Sequence, residues 1–202
     1  MAKNIIVSNR LPIQLTKLDN SFEFTPTSGG LATGMNSVHK GQESLWIGWL
    51  GIDEDEIDKN AWAPLKKSLK SEGYFPVSLN QKEIEDFYYG LSNKSLWPLF
   101  HYFIEFSVFD EKQWKSYQEV NKKFAESVLS NIEEGDTVWI HDYQLLLCPK
   151  MIKDVRPDVT IGFFLHIPFP SFEIFRIFPR REELLKGILG ACLLYTSDAA
   201  DE

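Results

Sequence analysis

Residues Thr137–Pro170, TVWIHDYQLLLCPKMIKDVRPDVTIGFFLHIPFP, spell out a strand, a helix and a second strand. Val138 to Ile140 is a short apolar run of the kind that fits a strand buried on both faces. Leu145 to Val155 carries apolar residues at helical spacing and then meets Arg156-Pro157, a stop signal. Ile161 to Leu165 is a second short apolar run. Each run ends on a histidine: His141, followed by Asp142, and His166, followed by Ile-Pro-Phe-Pro. In open α/β sheets ligands bind beyond the carboxyl ends of the strands. The pattern therefore predicts His141, Asp142 and His166 on one rim, as a polar substrate site requires.

The flanking sequence extends the same alternation. Asn4 to Val7 predicts a first buried strand that runs into Ser8-Asn9-Arg10, so Arg10 leaves its carboxyl end. Arg10 reads either as a solvated loop side chain or as a planar fork that meets an anion. Ile13 to Lys17 and Ser21 to Thr25 predict a hairpin turning at Asp19-Asn20. Ser28-Gly29-Gly30 then opens an apparent helix to about His39, where backbone N–H groups could approach a phosphate. It fits neither the dinucleotide fingerprint nor the P-loop spacing. Further strands are predicted over Ser44–Leu50 and Tyr74–Leu79, with a surface helix over Ala61–Lys70. A helix over Gln81–Tyr89 is expected to break at Gly90-Leu91-Ser92-Asn93, with Ser92 or Asn93 capping the next. Gln113 to Ile132 carries Trp114, Tyr117, Val120, Phe124 and Val128 at helical spacing. Ser171 is the expected cap of a helix over Phe172–Phe178, and Arg181 to Leu189 forms another beyond Pro179. Strand and helix alternate, which predicts an α/β fold with a mainly parallel sheet and flanking helices.

Composition narrows the function classes. A net charge of −8 argues against an electrostatic nucleic-acid binder. Cys148 and Cys192 make neither a disulfide framework nor a metal cluster. The apolar run after Met1 is too short for a signal peptide, and no run approaches the length of a membrane span, so a cytoplasmic location is expected.

Six motifs stand in order: VSNRLP (7–12), SGGLATG (28–34), LWIGW (45–49), Tyr88 with LSNKSLWPLFHY (91–102), WIHDY (139–143) and FFLHIPFP (163–170). Together they resemble the N-terminal part of the trehalose-6-phosphate synthase family of retaining glucosyltransferases, from Ile5 to Ala191. The resemblance implies a Rossmann-like domain of a GT-B fold and glucosyl transfer from UDP-glucose to glucose 6-phosphate. It implies no metal ion and no cofactor, and it allows a homo-oligomer of the intact enzyme. Carried over by motif, Arg10 would bind the acceptor phosphate. Trp49, Tyr88, Trp97 and Asp142 would shape the acceptor pocket, with Trp46 the other candidate for the position given to Trp49. Gly29 and Gly30 would lie against the donor diphosphate, and His166 would face the donor glucose. Asp142 and His166 are the expected catalytic residues. The family's favoured mechanism is front-face attack with the leaving phosphate taking the acceptor proton; a covalent Asp142 intermediate is the rival. A non-catalytic, sugar-phosphate-sensing relative is the alternative function.

The resemblance stops near Ala191. Residues 1–191 are expected to form a partial acceptor-side domain, without the family's nucleotide-binding domain and inactive alone. Cys192–Glu202, CLLYTSDAADE, resembles a translated sequencing adapter and is expected to be a non-native tail. Reading the same eleven codons and a stop from source DNA would defeat that expectation.

Overall fold

The computed structural model describes residues 2–17, 22–27 and 44–196. Its centre is a six-stranded sheet built from β1 (Asn4–Arg10), β4 (Ser44–Trp49), β5 (Tyr74–Val77), β6 (Thr137–His141), β7 (Thr160–Leu165) and β8 (Leu193–Thr196). The spatial order is β5-β4-β1-β6-β7-β8, and every neighbouring pair is parallel. Strands β2 (Ile13–Lys17) and β3 (Phe22–Pro26) form a separate antiparallel hairpin; the predicted Asp19-Asn20 turn lies outside the described residues.

The continuous apolar runs follow from burial on both faces. On β1, Ile5 and Val7 face one cluster and Ile6 the other. The first cluster packs under α2 (Glu111–Leu129), α3 (Cys148–Val155) and α4 (Arg181–Ile188); the second joins α1 (Lys59–Ser71) to Leu11, Ile13 and Trp46. Helix α2 buries Trp114, Tyr117, Val120, Phe124 and Val128, the stripe its period predicts, and Asp110 caps it by accepting from the Lys112 and Gln113 N–H groups.

The sheet order reverses at β1. From there the chain first builds outward through β4 and β5, then returns to pair β6 with the other side of β1. A crevice opens at such a reversal, beyond the carboxyl ends of the two strands that flank it. Here those ends carry Ser8–Arg10 and His141–Asp142.

One predicted boundary is wrong. No helix break occurs at Gly90–Asn93: residues Ile84–Leu96 form one continuous π-helical segment, and the Trp97 N–H bonds back to the Ser92 carbonyl. The wider i→i+5 turn carries the chain through the stretch that sequence punctuation marked as a stop. Nor does Ser92 cap a helix, since its side chain is buried within the segment. Beyond β7, the helix expected over Phe172–Phe178 spans Phe172–Phe175, and Ser171 makes no side-chain cap. Residues Leu193–Thr196, inside the stretch expected to be a non-native tail, pair with β7 and are exposed throughout.

Candidate active site

At the reversal of strand order lies a cavity of about 700 Å³, lined among others by Ser8, Asn9, Arg10, Trp46, Gly51, Tyr88, His141, Asp142 and Gln144. That size suits a small polar molecule. Two strand tips, one helical segment and the β2–β3 hairpin, through Gln14 and Thr27, supply its polar groups.

Arg10 is placed by aromatic rings. Its guanidinium carbon stands 4.9 Å from the Trp49 ring centroid and 5.8 Å from that of Tyr88, and the two rings are 5.7 Å apart. Stacking of this kind orients the cation while leaving its N–H edge free to pair with an anion. One guanidinium N–H donates to the Gly51 carbonyl at 3.4 Å. Gly51 has φ +85°, and a Cβ there would meet the Arg10 guanidinium carbon at 3.1 Å, so glycine answers both the backbone and the close approach.

Asp142 follows β6 with φ 77° and ψ 168°, a conformation that only glycine adopts without strain. Neighbours hold it there. Its N–H donates to the Phe164 carbonyl at 2.8 Å, its Oδ1 accepts from the Tyr143 N–H at 3.0 Å, and its carbonyl accepts from Leu145 at 3.1 Å. Burial raises the pKa of the Asp142 carboxyl; the Tyr143 N–H and the nearby His166 oppose that rise. Desolvation lowers the His166 pKa, with Asp142 pulling it back up.

The two histidines meet. His141 Nδ1 and His166 Nε2 are 3.0 Å apart. His141 is buried and finds no partner for Nε2 among the described residues. Burial, helped by the charge of His166, holds its pKa down to about 3, so the ring is neutral near pH 7.

The turn after Asp142 is clamped by α2. Tyr117 OH donates to the Tyr143 carbonyl at 2.7 Å and accepts from the Leu146 N–H at 3.1 Å. Asn121 Nδ2 donates to the Gln144 carbonyl at 3.0 Å, while its Oδ1 accepts from the Leu147 N–H at 3.1 Å. A helix thus fixes an irregular turn whose own backbone groups would otherwise lack partners.

Of the sequence-predicted residues, Arg10, Tyr88 and Asp142 share the cavity. His166 reaches it through His141. Trp49 is buried beneath Arg10 with its indole N–H donating to the Ile52 carbonyl at 2.7 Å, whereas Trp46 lines the cavity. Trp97 is part-exposed and stacks on His101 at 4.1 Å between ring centroids. Gly29 and Gly30 lie outside the described residues. Sequence reasoning missed Tyr117 and Asn121, and it missed Asn9 and Gln144. The available signal was polar residues inside apolar stretches: Asn121 four positions after Tyr117, and Gln144 ahead of three leucines. Among the described residues no group of three or more His, Cys, Asp or Glu could hold a metal ion, and no helix is long and apolar enough to cross a membrane.

A trehalose-6-phosphate synthase of Mycolicibacterium vanbaalenii is 42% identical over 193 residues, covering 94% of this chain and 39% of that protein. The crystal structure of a UDP-forming α,α-trehalose-phosphate synthase from Burkholderia xenovorans, in complex with glucose-6-phosphate, superposes with TM-score 0.77 at 28% identity, covering 99% of this chain and 41% of that one. The N-terminal domain of a Candida albicans trehalose-6-phosphate phosphatase superposes with TM-score 0.78 at 31% identity, covering 96% of this chain and 40% of that one. The chain thus spans about two fifths of the length of these relatives. Its parallel sheet and flanking helices are a Rossmann-like domain of the GT-B type. Residues 2–197 match the model of Glycosyltransferase family 20, and the chain belongs to that family.

Proposed function

We propose that this chain forms the acceptor-side half of a retaining hexosyltransferase that moves glucose from UDP-glucose to glucose 6-phosphate, yielding α,α-trehalose 6-phosphate. One observation carries the reading: the Arg10 guanidinium is oriented over Trp49 and Tyr88 in the same cavity that holds Asp142. An anionic group and a hydroxyl-bearing ring on one small ligand would satisfy both ends. In this reading the acceptor phosphate pairs with Arg10, and the sugar ring lies toward Asp142. His166 faces the donor glucose, and Gly29 and Gly30 approach the donor diphosphate. Residues 1–191 make up this half-site, and 192–202 are an appended tail in this reading, although the family match reaches residue 197 and Leu193–Thr196 pair with β7. A cytoplasmic location and a homo-oligomer of the intact enzyme belong to the same proposal.

In the reaction, the bond from glucose C1 to the diphosphate oxygen breaks. A bond from C1 to the acceptor hydroxyl oxygen forms on the same face. The hydroxyl proton passes to the departing diphosphate, so no protein carboxylate needs to bond to carbon. Asp142 contributes a fixed negative charge and hydrogen-bond acceptors near a developing cation, positioned in advance by its strained turn. His141 holds the His166 ring in place.

The likeness to a domain of a phosphatase supports a second reading, in which the same cavity binds a sugar phosphate without transferring glucose. Calorimetric titration of the chain with glucose 6-phosphate, glucose and inorganic phosphate tests what the two readings share. Binding of glucose 6-phosphate that is lost in Arg10→Met is the expected result, and absence of binding by the unaltered chain overturns both readings. The two then divide on turnover by a polypeptide carrying both halves of the cleft, where trehalose 6-phosphate formed from UDP-glucose selects the transferase. The 202 residues alone are expected to form none.

A further inference from the structure

Three buried polar side-chain atoms of cavity-lining residues have no partner among the described residues: Asn9 Oδ1, His141 Nε2 and Gln144 Oε1, of which Gln144 Oε1 can only accept and stands on the Asp142 turn. Gln144 is 7% exposed and lines the cavity, yet its Oε1 has no partner among the described residues. The backbone that carries it is held by hydrogen bonds. The Gln144 carbonyl accepts from Asn121 Nδ2 at 3.0 Å, and the flanking carbonyls of Asp142 and Tyr143 accept from the Leu145 N–H and the Tyr117 hydroxyl. The neighbouring Tyr143 hydroxyl donates to Asn93 Oδ1 at 3.0 Å. The carboxamide oxygen can only accept, so a partner for it has to bring a donor. A buried carbonyl oxygen without a partner carries a desolvation cost that a ligand donor would remove.

We infer that Gln144 Oε1 accepts a hydroxyl hydrogen from the hexose ring bound in this cavity, making Gln144 a specificity-determining residue for the acceptor sugar. The inference rests on the hexose-phosphate reading above and deepens it. Gln144 lies two residues from Asp142 on the same turn, on the β6 side of the crevice, while Arg10 holds the β1 side. A phosphorylated hexose anchored at Arg10 therefore presents ring hydroxyls, and not its phosphate, to Gln144.

The test is a binding matrix. The 202-residue chain, Gln144→Met and Gln144→Glu are each titrated calorimetrically with glucose 6-phosphate and with analogues lacking one ring hydroxyl at carbon 2, 3 or 4. Methionine keeps the length and removes the acceptor; glutamate keeps an acceptor oxygen. The unaltered chain should bind one analogue about tenfold more weakly than glucose 6-phosphate, the size of one net hydrogen bond. Gln144→Met should bind glucose 6-phosphate about tenfold more weakly than the unaltered chain, yet bind that one analogue equally well. Gln144→Glu should keep the discrimination. Equal affinity of the chain and Gln144→Met for glucose 6-phosphate overturns the inference and leaves the hexose-phosphate reading standing; so does equal weakening against every analogue. Should Gln144→Met fail to fold, the unaltered chain still decides, because binding all analogues as tightly as glucose 6-phosphate overturns the inference. Failure of the unaltered chain to bind glucose 6-phosphate overturns the underlying reading and the inference together.

Discussion

His141 Nδ1 stands 3.0 Å from His166 Nε2, and the two rings stack with centroids 5.3 Å apart. The pair joins the tips of β6 and β7, whose register sets His141 opposite Phe164. One nitrogen of the two carries the shared proton, so both rings cannot be cations in this arrangement.

That pair gives a pH dependence of stability. The folded-state pKa of His141 lies at about 3, below its ordinary 6.5, because burial and the charge of His166 disfavour the imidazolium. Between those values the unfolded chain takes up a proton that the folded chain refuses. The contribution of His141 is therefore whole above about pH 6.5 and falls as pH drops toward 3, by on the order of 1 kcal/mol per pH unit. Urea denaturation at a series of pH values should show a steeper acid loss for the unaltered chain than for His141→Asn. Parallel curves would refute the assignment.

The backbone at Asp142 offers a second measurement. Its φ of 77° with ψ of 168° strains any residue with a Cβ, at a cost of about 1–3 kcal/mol. Asp142→Gly and Asp142→Ala lose the same carboxylate, but only glycine relieves the strain. The glycine variant should be the more stable by roughly 1 kcal/mol, after allowing for glycine's greater chain entropy. Equal unfolding midpoints would show that the turn is not strained.

Removing the clamp on the same turn should be costly. Asn121 is buried and serves the Gln144 carbonyl and the Leu147 N–H together. Asn121→Leu leaves both buried groups without partners and should destabilise the chain by about 1–3 kcal/mol for each. Tyr117→Phe likewise strands one carbonyl and one N–H, those of Tyr143 and Leu146, and should cost a similar amount. A loss under about 1 kcal/mol for either variant, measured by chemical denaturation, would mean that the clamp does not hold the turn.

Gly51 links fold and binding. Alanine there meets a positive φ and the Arg10 guanidinium at once. Gly51→Ala should lose roughly 1–2 kcal/mol of stability and also weaken glucose 6-phosphate binding, as Arg10 is displaced from Trp49 and Tyr88. Thermal melting read beside calorimetry separates the two effects, and unchanged affinity would show that Arg10 does not hold the phosphate.

Among the described residues, one edge of the sheet is an exposed apolar strand. Leu193, Leu194 and Tyr195 on β8 are 67%, 47% and 58% exposed, and among the described residues no further strand pairs beyond it. Such an edge templates pairing with another chain. The 202-residue chain should self-associate with rising concentration, and Leu194→Lys should reduce this in sedimentation experiments.

The sequence by itself determined the elements whose signal is local. The apolar runs at Ile5–Val7, Val138–Ile140 and Ile161–Leu165 announced buried strands because side chains on both faces are covered. The stripe from Trp114 to Val128 announced its helix through a period of 3.6 residues. The order of motifs announced the family. Local signals failed where distant contacts compete with them: Gly90 to Asn93 reads as a stop, yet the segment runs on as a π-helix packed against α2.

Tertiary structure alone decided the sheet order, the reversal at β1, and hence which strand tips share a cavity. It set Trp46 at the cavity and Trp49 beneath Arg10, though both stand in the same five-residue motif. It also left Gln144 Oε1 without a partner among the described residues and gave His141 its neighbour. The physical reason is that hydrogen-bond satisfaction and desolvation depend on groups far apart along the chain, and no window of sequence contains both partners.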